Sequence, residues 1–253
     1  MDLKFRDGTG DARIWKIVFD NNEYKIGDMT GKTVIDIGAN IGAFGCLASQ
    51  RGAKKIVCVE PFESNYKILC HNCGEFDNII PLKYAISSKD NEKLRLCTEE
   101  EYRASFKKKL PDYPFIEMGG VHVDTAEGSS GSDLCETICL ETIIERYNFE
   151  VVNLLKIDCE GGEWKVFSSI THKTFKIIDE IVGEYHLAPD TGRKILGNEI
   201  NPIDWLAELF EKHGFVSFFK GNLCNKNVGW FYARKYNLEK RAINEAWFKT
   251  ESK

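Results

Sequence analysis

Lys156, Asp158 and Glu160 alternate along one short run, and Glu163 follows two glycines later in the same stretch, KIDCEGGE. Alternation puts the first three side chains on one face of a strand. Glu184 and His186 share that spacing further on, in IVGEYH. Carboxylates beside an imidazole suit proton transfer, in which a positioned base takes a proton from a reacting group. Glu160 or His186 could be that base, and a carboxylate–histidine pairing is favoured over one lone residue. Two carboxylates and a histidine could also hold a divalent ion, but a metal is not favoured and no metal ligand is assigned. The competing reading makes Asp158 and Glu160 caps for the helix starting near Glu163, and His186 a hydrogen-bonded structural residue.

A second group lies upstream, in Asp36-Ile37-Gly38-Ala39-Asn40-Ile41-Gly42. Glycines let the backbone turn sharply after a strand and approach a ligand closely. The following helix start presents unpaired N–H groups. Such a loop is generic to nucleotide sites. Asp36 sharpens it, because a carboxylate would repel the pyrophosphate of a dinucleotide but attract the ammonium and sulfonium of S-adenosylmethionine. Glu60 ends the next strand-like run, where a carboxylate can accept both hydrogen bonds of a ribose diol. A nicotinamide-dependent oxidoreductase would share the acid but needs a GxGxxG loop, which this chain lacks.

The elements that must hold these residues alternate. TVIDIG, KIVCVEP, IIPLKYAIS, VVNLLKIDCE and KIIDEIVGEYH read as strands, and residues 63 to 73, 140 to 148, 163 to 170 and 202 to 214 as helices. FVSFFK and VGWFYARK read as a closing antiparallel pair. The pattern implies a Rossmann-like, doubly wound, mostly parallel α/β sheet, with ligands bound beyond the carboxyl ends of its strands. Residues 13 to 27 read as a β-hairpin around Asp20-Asn21-Asn22, within an amino-terminal extension over 1–30. The main domain spans 31–236. Residues 98–133 are too long and polar for an ordinary connection and read as a lid or acceptor loop. Residues 237–253 read as a polar helix or tail.

Here the chain resembles a known family. VIDIGANIGAFGCLA, VCVEPFESNYKIL, YAIS, LETII, LLKIDCEGGEWKVF and IVGEYH occur in the order seen in the FkbM family of S-adenosylmethionine-dependent methyltransferases. The resemblance covers about residues 33 to 186. It implies the seven-stranded class I methyltransferase fold and O-methylation of hydroxyls on polyketides, sugars or glycolipids. Asp36, Gly38, Asn40 and Gly42 match its cofactor loop, and Glu60 its ribose acid, with Pro61 and Phe62 beside it. Phe62 stands where the family often has Asn, and Glu141 where it often has Asp. Ala85 matches a small residue beside the adenine, and Asp158 is also placed against the cofactor. The expected function is O-methylation of a small-molecule or glycan hydroxyl. N-methylation and a non-catalytic cofactor-binding scaffold are the alternatives.

The bulk composition bounds the partners. A net charge of −5 lacks the basic excess of bulk nucleic-acid binding, so no nucleic-acid partner is expected. No apolar run approaches the roughly 18 residues of a membrane span, and the polar start lacks a signal-peptide core. The nine cysteines then read as reduced and mostly buried, which fits a cytoplasmic protein. Cys70 and Cys73 have CxxC spacing but face a helix core, so zinc is not expected. Lys107-Lys108-Lys109 reads as a solvated turn.

Overall fold

Thr33–Ile37 (β1) and Lys55–Val59 (β2) are runs of mostly β-branched residues buried on both faces, the pattern of interior parallel strands. The structure is a computed structural model that describes residues 1–96, 123–124, 134–187, 191–222 and 227–236. The lid expected over 98–133 lies outside the described residues apart from 123–124, and the tail over 237–253 lies wholly outside them.

In chain order, Asp11–Trp15 (α1) leads through a π-helical turn, Lys16–Asp20, to β1. Ala43–Gln50 (α2), β2, Glu63–Asn72 (α3) and Ile79–Leu82 (β3) follow. Ala85–Ile86 (β4), Lys93–Leu96 (β5), Val123–Asp124 (β6) and Leu134–Ile138 (β7) form a small separate sheet. Regular alternation then resumes with Leu140–Arg146 (α4), Val152–Ile157 (β8), Glu163–Ser169 (α5) and His172–Ile177 (α6). Ile178–His186 (β9), Thr191–Leu196 (α7), Pro202–Lys212 (α8), Phe215–Gly221 (β10) and Val228–Lys235 (β11) complete the chain.

The main sheet has seven strands in the order β10-β11-β9-β8-β1-β2-β3. Its members run parallel from β3 to β9, and β11 pairs antiparallel with both β9 and β10. This is the class I methyltransferase arrangement. Strand order reverses at β1, so the crevice beyond β1 and β8 is where a ligand binds in an open α/β sheet. One core cluster packs Trp164, Phe167, Phe175 and Phe210 of α5, α6 and α8 on one face. The other packs Trp15, Tyr24, Phe44, Leu47 and Leu69 on the opposite face. Among the described residues, no helix is long and apolar enough to cross a membrane.

Two expected elements differ. Residues 13 to 27 form no hairpin: the segment is helical through Asp20 and then runs irregularly to β1. Trp15 and Phe19, one helical turn apart, stack at 4.8 Å and pack toward α2, so helical spacing outweighs the alternation that suggested strands. Residues 79 to 87 do not form one strand. β3 is the edge of the main sheet, where Pro81 costs no ladder bond, and the chain then crosses to β4 in the small sheet.

Candidate active site

β1 and β8 lie side by side, with Asp36 opposite Lys156 and Cys58 of β2 on the far side of Asp36. Beyond them the loop turns on Gly38, Asn40 and Gly42, all with positive φ. At Gly38 a Cβ would lie 1.7 Å from the Asp158 carbonyl oxygen. That glycine lets the ends of β1 and β8 close on each other, so its requirement is set by the protein's own backbone. Gly42, at φ +89, opens α2, where a Cβ would meet Leu69 of α3 and Cys73 just past its end. Asn40 tolerates the left-handed conformation, and its N–H donates to Glu60 Oε2 at 2.8 Å.

Asp36 is wholly buried, and its Oδ1 lies 3.2 Å from Lys156 Nζ. Lys156 is also buried. It donates to the carbonyl oxygens of Gly38 at 2.7 Å and Ile37 at 3.3 Å, and its ammonium lies 3.9 Å from Asp158 Oδ2. Burial works against that ammonium, but Asp36 and Asp158 outweigh it and hold its pKa above the ordinary lysine value. The structure therefore gives Asp36 an internal partner, and the carboxylate that reaches the edge here is Asp158, 24% exposed. Asp158 accepts a 2.7 Å hydrogen bond from the Tyr24 hydroxyl. Tyr24 is buried and lies 5.6 Å from the Lys156 ammonium, across its ring face. The irregular amino-terminal segment thus contributes directly to the site.

Beside Tyr24, burial and the Asp158 charge push the Glu23 carboxyl up to about 7. Its folded-state pKa lies above the ordinary value, so ionisation opposes folding. The destabilisation sets in as pH rises above 4.5, the ordinary glutamate value, and is complete beyond about 7. Glu23→Gln, which mimics the protonated form, should match the wild type in Tm at pH ~4 and exceed it at pH ~8. Equal or lower Tm for the variant at the higher pH, measured by thermal melts, would refute this placement of Glu23.

His186 ends β9 in a nest of carboxylates. Glu163, the first residue of α5 and wholly buried, accepts from His186 N at 2.6 Å and faces His186 Nδ1 at 3.2 Å with the same Oε1. Its Oε2 accepts from Gly161 N at 2.8 Å. Trp164 Nε1 donates to the His186 carbonyl at 2.8 Å. On the open side, His186 Nε2 lies 3.4 Å from Glu160 Oε2 and 3.7 Å from Glu184 Oε2. Burial opposes the imidazolium, but Glu160 and Glu163 more than offset it and raise the His186 pKa well above its usual value. Burial likewise raises the carboxyls of Glu160 and Glu184. Glu160 itself sits at φ +53, a conformation that costs a non-glycine residue free energy and is concentrated at functional sites.

The structure thus brings Asp158, Glu160, Glu184 and His186 together at the carboxyl edge. Glu60 lies across the β1 loop from them. Its carboxylate is fixed by Asn40 N on Oε2 and by Phe62 N and Asn65 Nδ2 on Oε1. Oε2 accepts only one of these bonds, which leaves it capacity for a ribose hydroxyl. Ala85 is wholly buried with Leu94, Leu96 and Cys135, and Phe62 packs against that cluster. Pro61 is partly exposed beside Glu60. A rigid carboxylate at the end of β2, and an edge richer in carboxylates than in cations, fit a nucleoside that carries positive charge.

Sequence reasoning missed Tyr24, Glu23 and the support that Glu163 gives His186. Tyr24 meets Asp158 across 134 residues of chain, and no local signal marks it. Glu163 could have been flagged by its place in the EGGE run. Cys73 approaches Cys46 at 3.5 Å rather than Cys70, and no described cysteine belongs to a group with metal-ligand spacing.

Residues 36–217 match the family described as Methyltransferase FkbM domain. Hexuronic acid methyltransferase AglP of Haloferax volcanii is 23% identical, with 74% of this chain and 67% of that protein covered. Methyltransferase sdnD of Sordaria araneosa is 24% identical, with 68% of this chain and 73% of that protein covered. Among solved structures, precorrin-6y C5,15-methyltransferase from Geobacter metallireducens is similar at a TM-score of 0.43 and 12% identity, over 92% of this chain and 94% of that one.

Proposed function

We propose that this chain, which belongs to the FkbM methyltransferase family, methylates a hydroxyl oxygen on a sugar, glycolipid or natural product. The methyl donor is S-adenosylmethionine, which when bound supplies a methyl group already activated by a sulfonium. The protein then has to align an acceptor oxygen with that carbon and take away its proton.

The observation that carries the reading is His186, buried and braced by Glu163, with Nε2 turned toward Glu160 and Glu184. Together they form a basic group at the strand ends, where the acceptor must lie. Burial raises the carboxyls of Glu160 and Glu184, which makes each a stronger proton acceptor than an exposed carboxylate. Glu60 would hold the ribose. Asp158, fixed by Tyr24, would face the positive end of the donor, and Asp36 acts through Lys156. A hexuronic acid methyltransferase among the relatives favours a sugar acceptor. The surplus of carboxylates favours a neutral hydroxyl over an anionic carboxylate, which it would repel. It disfavours an amine acceptor too, because the same carboxylates would keep the amine protonated and unreactive.

The test is incubation with S-adenosylmethionine carrying a 13C methyl group and separate panels of neutral sugars, uronic acids and amines, with products read by NMR. A methyl ether signal from the neutral hydroxyl panel is expected. Label found only as methyl ester or N-methyl product would overturn the acceptor class.

A further inference from the structure

We propose that Asp158, Glu160 and His186 form a binding site for a first-row divalent cation such as Mn2+. One ligand atom from each lies within 4.8 Å of the others, the span of a coordination sphere with bonds of about 2.0–2.2 Å after slight closure. A cluster of carboxylates is common without an ion, so the weight falls on the histidine. His186 is 4% exposed, and its Nε2 is buried without a hydrogen bond, the nearest carboxylates being Glu160 at 3.4 Å and Glu184 at 3.7 Å, so a cation would take the place of the proton there. Its other nitrogen faces Glu163 Oε1 at 3.2 Å. A carboxylate behind the ring is what orients a metal-bound imidazole and raises its donor strength. Glu163 is immobilised in turn by Gly161 N and His186 N, so the ring cannot swing away. Two carboxylates and one imidazole suit a first-row divalent cation, which accepts nitrogen as well as oxygen donors, better than Mg2+ or Ca2+, which prefer oxygen alone.

Three protein ligands leave coordination positions open, the arrangement of catalytic rather than structural ions. An acceptor hydroxyl in one of them would lose its proton more readily. Glu184, whose Oε2 lies 3.7 Å from His186 Nε2, is placed to receive that proton. The oxygen's electron pair forms the new O–CH3 bond as the donor's C–S bond breaks, leaving a neutral thioether. This catalytic role rests on the methyltransferase reading proposed above, with His186 and Glu160 then holding the ion that acidifies the hydroxyl and Glu184 left as the base, whereas the binding site itself does not.

The experiment is a titration of the metal-stripped 253-residue chain with Mn2+, followed by the electron paramagnetic resonance signal of free Mn2+. Loss of that signal up to one equivalent is expected. Glu163→Gln should weaken binding about 10–100-fold. Glu160→Gln, at a partly exposed side chain, should weaken it at least as much while melting as the wild type does, and Asp158→Asn, which keeps an acceptor for the Tyr24 hydroxyl, should weaken it by as much. A free signal undiminished at millimolar metal would overturn the site, as would unchanged binding in both ligand variants. Failure to methylate any acceptor panel would sink the functional reading and leave the Mn2+ titration unaffected.

Discussion

Lys156→Met is expected to cost about 3–5 kcal/mol of folding stability, the effect of removing one partner from a buried ion pair. In a domain of this size that is a fall in Tm of roughly 10 °C. The cause is Asp36, which is wholly buried and has Lys156 3.2 Å away as its counter-ion. With the ammonium gone, Asp36 must ionise without compensation or take up a proton. The carbonyl oxygens of Ile37 and Gly38 also lose their shared donor. The double variant Asp36→Leu with Lys156→Met should recover much of the loss, since replacing both charges by apolar groups is often neutral. Thermal melts of the two single variants and the double variant measure this. A Lys156→Met protein with wild-type Tm would show that the pair does not hold the ends of β1 and β8.

Glu60→Ala is expected to weaken binding of S-adenosylmethionine by about 100-fold or more. Two hydrogen bonds from a ribose diol to a carboxylate are worth roughly 1.5–3 kcal/mol each, and about 1.4 kcal/mol is tenfold in affinity. The variant also releases Asn40 N and Phe62 N, which the carboxylate holds at 2.8 Å and 3.0 Å. The loop therefore loses its shape as well as its ligand contact. Equilibrium dialysis with labelled donor measures the affinity, and a cooperative melt shows that the variant is folded. A folded variant that binds within a fewfold of the wild type would remove Glu60 from the cofactor site.

How much of this was legible beforehand depended on range. β1, β2, β8 and β9 are rich in apolar residues and carry acidic residues at or just past their carboxyl ends, so both the strands and the chemistry at their carboxyl edge could be read locally. The helix over residues 63 to 73 was legible from its apolar spacing, although the face it buries includes Asn65, Ile68 and Asn72 as well. The small sheet was not legible, because β4 and β6 are only two residues long and too short to show any period. The amino-terminal segment misled for another reason. Trp15, Phe19 and Tyr24 fit alternation as easily as a helical face, and only packing against α2 decides between them. The role of Asp36 turned on an alignment no local pattern carries. Strand pairing sets Lys156 opposite it, so a carboxylate expected to face the cofactor holds a buried lysine instead. The same long-range assembly placed Glu163 behind His186, where the sequence alone read it as a helix opener.

We propose that the edge between Glu60 and Asp158 takes S-adenosylmethionine. Isothermal titration of the full chain with S-adenosylhomocysteine, the product that shares its adenosine and amino-acid parts, tests it most directly. The geometry predicts one equivalent bound by the wild type and loss of that binding isotherm in Glu60→Ala. A wild-type protein that is folded yet gives no binding isotherm with either S-adenosylhomocysteine or S-adenosylmethionine would contradict it.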